Sequence, residues 1–129
     1  MYRQVIHAAA LVIAGAASAH DMTPTYPKPS PSPIQGVTRF KMTLHNARKD
    51  VQYYALAVID KDGELMRFAA TDRILAVPYG ARQDFEVYIR DDDLPSAKYI
   101  CTQSRMLVGQ TSKPVISSTI CSRVDGALP

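Results

Sequence analysis

The chain has no tryptophan, and in 129 residues it has only two cysteines, three histidines and six glycines. Each scarcity closes a class of reading. Two cysteines cannot build the paired C-x-x-C sets of a zinc module, nor a multi-bridge scaffold. Serines are plentiful, but no G-x-S-x-G turn occurs, and only His20 and His45 lie beyond the first 19 residues, so no nucleophile, base and carboxylate set stands out. Fifteen Lys and Arg against twelve Asp and Glu leave a formal charge of +3 without a cationic face, which excludes nucleic acid as the expected partner. The run Asp91-Asp92-Asp93 lacks the spaced carboxylates of a calcium loop and reads as a solvated corner. No internal repeat and no convincing helical periodicity is present.

The longest apolar stretch, Val5 to Ala17, is 13 residues, short of the about 20 that cross a bilayer. Preceded by Arg3 and followed by Ala17-Ser18-Ala19, it reads as a leader over 1–19 whose removal makes His20 the first residue. The expected location is therefore secreted or periplasmic, with no membrane association after cleavage. In an oxidising compartment Cys101 and Cys121 are expected to form a disulfide, and closing a loop of about 20 residues is worth about 3 kcal/mol in the chain-entropy model.

What remains is rich in alternation. Residues 20–36 form a Pro-rich arm, with five prolines between Thr23 and Pro33, readable as a tether or as an edge segment. Phe40, Met42 and Leu44 then share one face of a strand, with Arg39, Lys41, Thr43 and His45 on the other. After the polar corner Asn46–Asp50, the run Val51 to Ile59 is apolar on both faces and reads as a central strand. Asp60-Lys61-Asp62-Gly63 reverses the chain, short runs follow at Leu65–Ala69 and Arg73–Val77, and Pro78–Ala81 turns again. Phe85, Val87 and Ile89 alternate with Asp84, Glu86, Tyr88 and Arg90. The last two runs, Ala97–Leu107 and Val115–Val124, form a hairpin that, centred on Thr111, places Cys101 opposite Cys121. Residues 125–129 read as a tail. The whole predicts an all-β fold, a single immunoglobulin-like antiparallel sandwich of about seven strands over 37–124.

Ala97-Lys98-Tyr99-Ile100-Cys101 resembles the sixth strand of immunoglobulin domains, where a tyrosine stands two residues before a cysteine; the resemblance implies a structural corner role for Tyr99. The strand ending in Asn46, the run Tyr53–Ile59 with its Asp60–Gly63 turn, and the Pro78 turn before Phe85–Ile89 resemble the N-terminal domain of periplasmic pilus-assembly chaperones. That likeness covers about Val37 to Leu107 and implies work by strand addition to a partner protein. His20-Asp21-Met22-Thr23-Pro24, Lys49-Asp50-Val51 and Tyr99-Ile100-Cys101 also look like small secreted proteins carried by tailed marine phages, which implies a virion or host-surface accessory.

A histidine exposed by cleavage can chelate copper through its amine and ring, and secreted copper proteins on similar sandwiches also begin with His. His20, with His45 or Met22 as a further ligand, is therefore a candidate copper site, and no other cofactor is expected. The main expectation is a non-enzymatic binding or assembly module that contacts another protein at an exposed sheet edge.

Overall fold

The computed structural model describes residues 20–106 and 117–125; the leader expected over 1–19, residues 107–116 of the expected last hairpin and residues 126–129 of the expected tail lie outside them. Among the described residues nine strands form two antiparallel sheets packed face to face, so the all-β sandwich is the fold. In the first sheet β3 (Val37–Asn46) is central, pairing on one side with β7 (Arg82–Arg90) and on the other with β1 (His20–Thr23) and β2 (Ser30–Pro31) in succession. In the second, β4 (Tyr53–Asp60) pairs with β8 (Ala97–Arg105), which pairs with β9 (Thr119–Arg123). The other edge of β4 carries β5 (Leu65–Met66) and β6 (Ile74–Ala76). The chain crosses between the sheets after β3, after β6 and after β7, which makes an antiparallel sandwich of the immunoglobulin-like kind.

The period-two pattern decides what is buried. Phe40, Met42 and Leu44 of β3 and Phe85, Val87 and Ile89 of β7 face Tyr54, Leu56, Val58 and Ile100 of the other sheet. Val124, just beyond β9, adds to the same core. A one-residue slip of any of these strands would turn its apolar set into water, which fixes the register. The outward residues of β4, Tyr53, Ala55 and Ala57, are half-buried beside their neighbours in the sheet, with no third layer upon them among the described residues. The strand is central in its sheet, as expected, but it is not sandwiched.

Turns fall where their chemistry requires. Gly63 has φ 82°, and the Asp60 carboxylate accepts from the amides of Asp62 (2.8 Å) and Glu64 (2.9 Å), closing the corner after β4. The turn before β7 closes through Ala81 N–H to Pro78 O (3.0 Å). Cys101 and Cys121 are direct cross-strand partners and are joined by a disulfide, as the hairpin register predicts. The bridge lies on the outer face of the second sheet, since Ile100 and Thr102 take the inward positions of β8.

Two expectations need correction. The sandwich is not confined to 37–124: the Pro-rich arm, as the edge segment rather than the tether, supplies β1 and β2. Proline is tolerated there because this is a sheet edge, where the missing N–H would point away from β3. Tyr99 is the second. It sits half-buried on the outer face, with Lys98 Nζ 5.3 Å from its ring centre, and its phase is opposite to that of an inward corner tyrosine.

Candidate functional site

The inward phase of β3 runs past Leu44 to Asn46, a fully buried amide. Its Nδ2 donates to Val51 O (2.6 Å) and Val77 O (2.8 Å). Its Oδ1 accepts from the Arg48 amide (2.8 Å) and from the Tyr54 hydroxyl (2.6 Å). The backbone of Asn46 is engaged as well, with N–H to Ala81 O at 3.1 Å and C=O from Gly80 N–H at 2.7 Å. One side chain therefore ties β3, the corner after it, β4 and the turn before β7. Burial pushes the Tyr54 hydroxyl up to about 12, opposed by nearby Arg48, so the phenol stays a proton donor. Tyr54, in the inward phase of β4, plays the anchoring part that the resemblance gave to Tyr99.

His20 packs on the same tyrosine, ring centres 4.6 Å apart and tilted by 46°. It is 1% exposed. Its Nε2 lies 3.0 Å from Thr102 Oγ1 and its Nδ1 3.1 Å from Ser118 Oγ. Burial holds the imidazole below its ordinary value, with Arg48 acting in the same direction against hydrogen bonding at Thr102 and the charge of Asp21. The structure does not assemble the expected copper ligands. Met22 shares the inward face of β1 with His20, but His45 pairs with Asp21 on the outer face, 3.4 Å from its carboxylate. A ring whose two nitrogens both meet hydroxyls also has no nitrogen left for a metal. Among the described residues no cluster of three or more His, Cys, Asp and Glu could hold an ion.

The Ser118–His20 contact has the distance of a nucleophile and its base, but the group behind the ring is the neutral hydroxyl of Thr102. A hydroxyl cannot stabilise an imidazolium as a triad carboxylate does, and burial and Arg48 both work against that cation. The cluster is arranged to pin β1 against the second sheet.

The feature of the surface that stands apart is the free edge of β7. Ala69 and Tyr88 exchange both backbone hydrogen bonds, at 2.9 and 2.8 Å, so the backbone groups of Tyr88 point away from β3. Alternation along the strand turns those of Asp84 and Glu86 the same way. After Ala69, however, the chain leaves for the second sheet, where Leu56 N–H donates to Arg73 O (2.8 Å) and β6 joins β4. Among the described residues, nothing continues the ladder beyond Tyr88 toward Arg82. The side chain of Gln83 caps the carbonyl of Asp84 (2.9 Å).

Beside this edge a groove of about 570 Å³ separates β7 from β6. Leu75 and Phe85, two core residues that keep 5% and 8% exposure, reach it together with Ile74. Asp72, Asp84 and Glu86 line its rim, and no Lys, Arg or His does. A second groove of about 480 Å³ lies past Ala69, lined by Ile34, Val37, Phe68 and Tyr88 between Arg67 and Arg90. Composition and alternation gave no warning of the open edge, because it arises where the chain changes sheets.

No family model, curated protein or solved structure matches the chain. Among the described residues no helix is long and apolar enough to cross a membrane.

Proposed function

We propose that the protein is a binding or assembly module that takes up an extended segment of a partner protein along the free edge of β7. The observation that carries this reading is the interrupted ladder: a nine-residue strand whose far side, among the described residues, is paired only at Tyr88, beside a groove open to core side chains. Unpaired, regularly spaced N–H and C=O groups at such an edge are a template for another strand, and an apolar groove beneath them gives alternate side chains a place to bury. The other long edges offer less. The β9 side is crossed by the N-terminal segment, with Arg123 N–H donating to Thr25 O (2.9 Å) and the Ser122 hydroxyl to Pro24 O (2.8 Å).

The test is selection of a random peptide library on the wild-type protein and on Glu86→Pro. Because the Glu86 amide points away from β3, proline there removes a donor to the partner and none to the fold. Enriched peptides should bind the wild type and fail on the variant, whose thermal midpoint stays close to the original. Peptides that bind both proteins equally would end the reading.

A further inference from the structure

We infer that the segment accepted at β7 is a short strand of basic–apolar–basic pattern, an inference that rests on the strand-addition reading above. Residues directly opposite each other on paired strands project from the same face. Phe85 points inward, so the partner residue opposite it enters the groove with Ile74 and Leu75 and must be apolar. Asp84 and Glu86 point outward, so the residues opposite them meet carboxylates. The cations nearest Glu86, Arg39 at 3.8 Å and Glu86's cross-strand partner Lys41, stand on the β3 side, and the Asp84 carboxylate accepts from the Thr43 hydroxyl (2.7 Å). On the open side the rim carries Asp72 as a third acid and no cation.

The same charges disfavour one rival register. A second copy pairing through its own β7 edge, antiparallel about Phe85, would set Asp84 against Glu86 twice, and like charges directly opposite are unfavourable. In that register the two acids repel an identical chain and favour a basic segment. Its length is bounded too: the free edge runs from Arg82 to Val87, because Ala69 occupies the place beside Tyr88. The fitting ligand is an extended stretch of about five or six residues.

The experiment uses three capped peptides, Thr-Lys-Val-Lys-Thr, Thr-Gln-Val-Gln-Thr and Thr-Glu-Val-Glu-Thr, titrated by NMR against the oxidised protein. The basic peptide should bind about tenfold tighter than the neutral one, a few-fold for each opposed pair, with the acidic one weakest. In Asp84→Asn/Glu86→Gln, which preserves shape and hydrogen-bonding groups, the basic preference should fall to near unity. In Asp84→Lys/Glu86→Lys the order should reverse. If all three bind the wild type equally and Glu86→Pro abolishes them all, the charge rule is wrong and strand addition stands. If none binds at millimolar concentration, or if binding survives Glu86→Pro, both fall.

Discussion

The two flanks of the sandwich are each crossed by a segment that changes sheets, and they end differently. On one flank the N-terminal segment leaves β3 after Thr23, reaches β9 through Pro24 and Thr25, and returns as β2. His20 adds a second tie from the same strand, to Thr102 and Ser118. On the other flank the chain touches β7 only at Ala69 and then commits to β4. The closed flank is sealed by buried polar groups with every partner supplied, since no buried side-chain polar atom among the described residues lacks one. The open flank has unpaired backbone and charged side chains. A sandwich can thus hold one seam shut with directional bonds and leave the other available without losing its register.

Removing the buried amide that joins β3 to β4 and to the turn before β7 should produce the largest effect. Asn46→Ala would leave the Tyr54 hydroxyl and the carbonyls of Val51 and Val77 buried without their partner, a loss of about 3 kcal/mol or more at about 1–3 per stranded group. Urea unfolding would show it as a much lower midpoint. A loss below about 1 kcal/mol would mean that water or rearranged backbone replaces the amide, and that the junction is not polar-locked.

Next in size is the bridge that holds β9 to β8. Replacing Cys101 and Cys121 by serine frees a loop with a sequence separation of 20, for an expected loss of about 3 kcal/mol. Peptide binding at β7 should persist in the folded fraction, because the bridge lies on the outer face of the other sheet. If binding vanished with the bridge while the β3 and β7 amide spectra stayed unchanged, the two flanks would be coupled rather than independent.

The pH dependence should follow His20. Its imidazole is held below the ordinary value of 6.5 in the folded chain, chiefly by burial, so the unfolded chain binds the extra proton first. This contribution is complete above pH 6.5 and is lost as pH falls from there through the folded value. Urea midpoints should therefore decline as pH drops below 6.5, before the carboxylates titrate, and His20→Gln should flatten that decline. A decline that persists unchanged in His20→Gln would assign it to another group.

Much of this was legible from residues alone. The inward sets of β3 and β7, the Gly63 turn and the pairing of Cys101 with Cys121 follow from period-two alternation and hairpin symmetry, which are local rules. Asn46 and Tyr54 were reachable by the same rule, since both continue the buried phase of their strands. His20 was not: its partners are 82 and 98 residues away, and a histidine in an apparent terminal segment carries no local sign of burial. The open edge was equally hidden, because it depends on where residues 69–74 leave one sheet for the other, and no periodicity marks that departure.

The smallest expected effect is also the most local. Along β7 the amides of Phe85 and Val87 point toward β3, whereas those of Asp84 and Glu86 point into the open flank. Hydrogen exchange followed by NMR should therefore show a two-residue alternation, with Asp84 and Glu86 fast, Phe85 and Val87 slow, and Tyr88 slow again because Ala69 accepts its proton. On β1 the closed flank predicts a different pattern, in which the ladder to residues 43–46 is protected on the side facing β3. Addition of the basic peptide should slow Glu86 and leave Phe85 as it was, since only the former lacks a partner. If Glu86 exchanged as slowly as Val87 in the free protein, the edge would already be covered and the contrast between the flanks would disappear.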